Sequence, residues 1–175
     1  MNALDAELAE LDSLDELDAL VGRTPGLHVR YSEGFEHDRD EASVDTESEL
    51  ELPGLSVNPL DPQPWWTRER ADWLARQLCQ YKHLRERNPE RFAWVLRGRI
   101  VGRGPDSEPL LADVEPVVRL SDALLDEAEA RYRTRFDAGR GRNRARCSRV
   151  LARVFAPPSR RIRLATVLAL ARGEC

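Results

Sequence analysis

Leucines at positions 4, 8, 11, 14, 17 and 20 recur at helical spacing with acidic residues between them. Ser13 followed by Glu16 has the form of a capping box, which places the firm part of this helix at 14–21 with Gly22 closing it. The period then changes. Leu27, Val29 and Tyr31 alternate with His28, Arg30 and Ser32, the pattern of a half-buried strand. Residues 33–51 offer almost nothing apolar and predict an acidic, mobile loop, followed by a short strand over 52–57.

Thr67 can cap a helix that runs to about Arg87, with Ala71, Leu74, Ala75, Leu78 and Tyr81 as its inner stripe and Asn88-Pro89 as its stop. Residues 92–101 form the longest strand candidate, with Phe92, Trp94, Leu96 and Ile100 on one face. After a Gly102-Arg103-Gly104-Pro105 turn, residues 110–120 predict another strand, which Pro116 confines to an edge or a bulge. Ser121 caps a helix to about Phe136, and beyond a hinge at 138–143 two further helices are expected over 144–155 and 160–172. The order predicts an α+β fold: a small mixed, mostly antiparallel sheet with packed helices and a C-terminal helical appendage. The corresponding organisation is one α+β domain over 1–137, its acidic loop at 33–51, and a basic helical tail over 138–175.

One stretch breaks every periodic pattern. Leu52–Trp66 reads LPGLSVNPLDPQPWW, with Pro53, Pro59, Pro62 and Pro64 fixing the backbone and Trp65 and Trp66 closing it. Two adjacent tryptophans are too apolar to leave in water without a reason, so this stiff segment is either a plug of the core or the wall of a site.

Charge is distributed unevenly. Residues 1–51 hold 16 acids against three arginines, whereas residues 131–175 hold 13 arginines against Asp137 and Glu174. The arginines of 140–163, among them Arg142, Arg144, Arg146, Arg149, Arg153, Arg160, Arg161 and Arg163, can meet a nucleic-acid backbone or an acidic protein surface. They can equally answer the chain's own acidic loop. Cys79, Cys147 and Cys175 are few, distant and odd in number, which argues for a reducing cytoplasm and against a disulfide framework. No secretory leader is expected at the acidic N-terminus, and the longest apolar run, Leu164–Ala171, is too short to span a bilayer. No HExxH, GxSxG or metal-spaced cluster occurs, so no metal is expected.

Candidate chemistry gathers in two places: the strand His28–Ser32, and the turn Gly102–Glu108 with its two acids Asp106 and Glu108. The strings VRYSEG, LPGLSVNPL, PWW, DWLARQL and VGRGPD resemble an actinobacterial family known only as a domain of unknown function, over most of residues 14–130. The order Arg30 on a first strand, Ser56 on a second and Glu108 after a later one is also similar to the Arg–Ser–Glu layout of the ADP-ribosyltransferase superfamily. That resemblance implies an NAD-binding cleft. Arg30 would steady the phosphates or ribose of NAD, Ser56 would shape the nicotinamide pocket, and Glu108 would be catalytic. His28, Tyr31, Trp65, Trp66 and Asp106 would complete the cofactor-binding surface, with aromatics stacking on nicotinamide. The layout departs from that superfamily in two respects: Leu55-Ser56-Val57 stands for its Ser-Thr-Ser, and Asp106 begins the glutamate motif.

Overall fold

The computed structural model describes residues 8–40, 42–80 and 82–137. The elements in chain order are strand β1 (Glu10–Leu11), helix α1 (Leu14–Arg23), strand β2 (His28–Ser32), helix α2 (Phe35–Asp40), strands β3 (Leu55–Ser56) and β4 (Asn58–Pro59), helices α3 (Arg70–Gln80) and α4 (Lys82–Arg87), strands β5 (Phe92–Arg103) and β6 (Pro109–Leu120), and helix α5 (Asp122–Tyr132). A π-helical turn over Arg133–Asp137 ends the described chain. The fold is α+β, with a curled and mostly antiparallel sheet. The hinge and tail helices expected over 138–175 lie outside the described residues.

Local signals act as expected at two helix starts. Ser13 and Glu16 form the reciprocal capping box of α1, and the Ser121 hydroxyl accepts from the Leu124 N–H at the start of α5. Helix α1 runs past Gly22 to Arg23, and the reversal falls instead at Gly26, whose φ of +82° is open to glycine at no steric cost. The helix expected over 67–87 begins at Arg70, after the Thr67 position, and its described residues are α3 and α4 on either side of position 81.

The strands pair in the order β1-β6-β5-β2-β4, with β3 also on β6. β5 and β6 form a long antiparallel hairpin with three register shifts. One shift separates Val95 opposite Val118 from Leu96 opposite Pro116, so the proline sits beside a bulge. Among the described residues, β3 covers the other side of β6 only at Leu110 and Leu111, and β1 only at Arg119 and Leu120. Pro116 therefore also occupies an open edge, where its missing N–H costs no ladder bond.

The proline-rich segment does not make one strand. Leu55 and Ser56 pair with Leu111 and Leu110 of β6, whereas Asn58 and Pro59 pair with Val29 and His28 of β2. Within five residues the chain crosses from one end of the sheet path to the other, and this crossing sets the functional geometry below.

Two clusters of buried side chains lie on the sheet. Val29, Tyr31, Ala93 and Val95 meet Leu14, Leu17 and Val21 of α1, Trp73, Leu74 and Leu78 of α3, and Leu124 and Ala128 of α5. The alternate residues Phe92, Trp94 and Leu96 pack with Leu55, Val57 and Leu111, and with Phe35 of α2. β2 is thus buried on both faces rather than half-buried, because the 33–57 segment covers the face that carries His28, Arg30 and Ser32. The cover is a correction to the expected mobile loop. It contains α2, a Val44–Glu51 bridge, and a Leu52 N–H to Ser43 carbonyl bond of 2.7 Å. Asp45 shapes a turn here: its carboxyl is held below its usual range by the Ser48 hydroxyl and by the N–H groups of Glu47 and Ser48.

Helix α3 carries a buried charge of its own. Asp72 is 2 % exposed and meets Arg68 at 3.0 Å and Arg131 of α5 at 2.8 Å. Arg131 also pairs with Glu69, so one guanidinium joins two helices through two carboxylates. No described helix is long and apolar enough to cross a membrane.

Candidate functional site

Arg30, Ser56 and Glu108 converge. Arg30 projects from β2 between α2 and β3, and its Nη1 donates to the Ser56 carbonyl at 2.7 Å. The Ser56 hydroxyl donates to Glu108 Oε1 at 3.1 Å. Ser56 is held here because β3 lies on the start of β6, one residue after Glu108, and the Val57 N–H bonds the Pro109 carbonyl. These three residues are far apart in sequence, and the strand crossing at 55–59 brings them together.

The arginine is closed on a partner that the sequence pattern hides. Its Nε and Nη2 donate to the two oxygens of Asp38 at 2.6 and 3.2 Å, the bidentate fork that guanidinium geometry favours. Nη1 also donates to Ser43 Oγ at 3.2 Å. Four of the five N–H groups of Arg30 are therefore engaged. Asp38 is 4 % exposed, and its Oδ2 also accepts from the Ser32 hydroxyl at 2.6 Å, which in turn accepts from Trp94 Nε1 at 2.8 Å. Ser43 Oγ accepts from the Ser56 N–H as well. A continuous network thus runs from Trp94 through Ser32, Asp38, Arg30 and Ser56 to Glu108. Asp38, Ser43, Ser32 and Trp94 escape a search for chemical motifs. Asp38 stands among Glu36, His37 and Asp40 with nothing in its spacing to mark it as the buried one.

Glu108 is half-buried, and its Oε2 is shielded from solvent without a hydrogen-bond partner. The turn before it is shaped to admit the carboxylate. The Gly104 N–H bonds the Glu108 carbonyl and the Ser107 N–H bonds the Gly104 carbonyl, each at 2.9 Å. A Cβ on Gly104 would stand 1.9 Å from Glu108 Oε1, so only glycine leaves room for the observed side chain.

Two cavities adjoin this carboxylate. The first, of about 530 Å³, is lined by Arg30, Ser56, Asp106 and Glu108, with His83 and Arg87 of α4 and Arg91 just before β5. The second, of about 520 Å³, is lined by His28, Trp65, Asp106 and Glu108 with Asp61 and Gln80. Both volumes fall in the range of small-molecule sites. Asp106 and Glu108 are common to both.

The remaining candidates are divided between them. Tyr31 borders the first cavity, but its ring is in the core and its hydroxyl donates to the Leu78 carbonyl at 2.7 Å. Trp65 is 64 % exposed and borders the second. Trp66 lines neither; it packs on the helix-side core, 5.2 Å from Trp73 between ring centroids, with Nε1 donating to the Glu69 carbonyl. The tryptophan pair therefore combines an anchor with an exposed ring. The arginines of 140–163 lie outside the described residues. Among the described residues no group of His, Cys, Asp and Glu is placed to hold a metal ion.

His28 is 5 % exposed and its Nδ1 has no hydrogen-bond partner. Burial lowers its pKa below 6.5, against the opposing pull of the Gly26 backbone and of Asp61. Because the folded value lies below the unfolded one, the unfolded chain binds the proton more readily. The neutral imidazole's contribution is complete above pH 6.5 and is lost as the pH falls below it. The melting temperature is expected to fall between pH 7.5 and pH 5, and His28→Gln to flatten that fall. Equal slopes for the two proteins would assign the acid sensitivity to other groups.

An α+β domain whose sheet holds an Arg–Ser–Glu network against a cleft is the class these observations define. The chain belongs to a family of unknown function (DUF6098), which it matches over residues 4–144. No curated protein and no solved structure matches it.

Proposed function

We propose that the cleft beside Glu108 binds NAD and that the domain is an ADP-ribosyltransferase-like enzyme or a ligand-binding relative of one. The observation that carries this reading is the Ser56–Glu108 hydrogen bond. It fixes one oxygen of a half-buried carboxylate and leaves the other without a partner beside a cavity of nucleotide-accommodating size. Such a carboxylate suits a ribose: it accepts from a sugar hydroxyl and stabilises positive charge as that charge develops at the anomeric carbon.

In this chemistry the bond between the ribose C1′ and the nicotinamide nitrogen breaks, and its electron pair leaves with nicotinamide. A nucleophile then bonds C1′ and gives up its proton. Glu108 supplies the negative charge that lowers the barrier, Ser56 orients Glu108, and Arg30 holds the Ser56 backbone in place. Arg30 is a positioning residue in this scheme, since Asp38 occupies its fork. Cysteine spacing supports a reducing, cytoplasmic setting.

The test is direct. Millimolar NAD is expected to raise the melting temperature of the full chain, and incubation is expected to release nicotinamide, measured by chromatography. The reading is abandoned if NAD neither shifts the melting temperature nor is consumed.

A further inference from the structure

The cleft contains a second pair of guanidinium groups whose situation differs from that of Arg30. Arg87 ends α4, and Arg91 lies four residues on, before β5. Both line the first cavity. Neither is paired with a carboxylate among the described residues, and Arg91 Nε is shielded from water without an acceptor. Elsewhere the arginines of the domain are mostly closed: Arg70 on Asp18, Arg97 on Glu115, Arg99 on Asp113, and Arg131 on Asp72. A shielded N–H without an acceptor is costly, and a ligand oxygen would remove that cost.

We infer that Arg87 and Arg91 form an anion subsite for a phosphate or diphosphate group, and that this role does not fall to Arg30. Three features agree. Arg30 has one N–H left and a carboxylate already in its bidentate position, so a second anion there would meet Asp38. Arg87 and Arg91 bring two positive charges, paired with no carboxylate among the described residues, to a cavity that Glu33, Asp45, Asp106 and Glu108 also line. His83, also on α4, borders the cavity beside them. Planar guanidinium forks fit phosphate oxygens in pairs, and two of them can share one diphosphate. The ligand class is thus a phosphate-bearing molecule whose remainder extends along the cavity toward Glu108. The identification of that remainder as the ribose of NAD rests on the function proposed above; the anion subsite does not.

The probe is inorganic pyrophosphate, titrated calorimetrically into the full chain at low ionic strength. Binding is expected, and it should weaken as salt is added. Arg87→Gln and Arg91→Gln should each weaken it by about tenfold, as loss of a charge-assisted hydrogen bond implies, and the double variant should bind none. All three variants should melt near the wild-type temperature, since neither side chain bonds another of the described elements. Glu108→Gln should bind pyrophosphate at least as well as wild type. Pyrophosphate binding that is unchanged in the double variant would overturn the subsite and assign the anion to other basic residues, those of the 140–163 tail included. Absence of binding to wild type at millimolar pyrophosphate would overturn it as well. The two proposals fail separately. Pyrophosphate bound through Arg87 and Arg91 with no response to NAD keeps the subsite and rejects the NAD reading. An NAD response that survives in the double variant together with unchanged pyrophosphate binding rejects the subsite and keeps NAD.

Discussion

Asp38→Ala is expected to destabilise the domain by about 3–5 kcal/mol, the cost of removing one partner from a buried ion pair. For a domain of this size that lowers the melting temperature by about 10–20 °C. The side chains of Asp38 and Arg30 are 2 % and 19 % exposed, so water replaces the lost carboxylate only in part. The loss also removes the acceptor of the Ser32 hydroxyl, which accepts in turn from Trp94 at the centre of the second core cluster. A double variant, Arg30→Met with Asp38→Leu, should recover part of the loss, because it leaves no unpaired charge behind. Denaturant unfolding of the four proteins gives the coupling energy. A loss under about 1 kcal/mol for Asp38→Ala would show a pair behaving as a solvated surface bridge.

Gly104→Ala is expected to leave the fold intact and to cut sharply the activity proposed for the cleft. The added methyl would fall 1.9 Å from Glu108 Oε1 and 2.4 Å from its Cδ. The obstructing atoms are the end of a flexible side chain, so the carboxylate can swing away at little cost in stability, but it then leaves the Ser56 hydroxyl. Transfer or NAD hydrolysis should drop by about 10²–10³-fold, the usual range for losing one preorganised electrostatic contact, and Glu108→Gln should match it. Gly102→Ala, near the end of β5 just before this turn, is the control: its nearest neighbour would be Leu110 Cδ1 at 3.8 Å, an ordinary contact. Equal activity in Gly104→Ala and wild type would separate Glu108 from the chemistry. Equal losses in both alanine variants would point to the turn backbone instead.

The legible parts of the chain were those written in neighbouring residues. The Ser13–Glu16 capping box, the Ser121 cap, the strand periods and the bulge at Pro116 each depend on contacts a few residues apart. The acidic segment at 33–51 was misleading because burial is read from apolar residues, and the buried group there is Asp38, admitted by its pairing with Arg30. The strand expected over 52–57 differs in the structure for a related reason. Its composition suits pairing, but composition does not say with which strand, and here Ser56 and Asn58 lie on different partners.

The candidate site divides the same way. The resemblance of their order to the Arg–Ser–Glu layout singled out Arg30, Ser56 and Glu108 as candidates. The tertiary structure decided that Ser56 meets Glu108, that Asp38 occupies the fork of Arg30, and that Arg87 and Arg91 line the same cavity with no described carboxylate paired to either. Helix caps and strand alternation are short-range and appear as patterns along the chain. Which carboxylate neutralises which guanidinium depends on distances set by strand crossing, and those distances leave no period in the sequence.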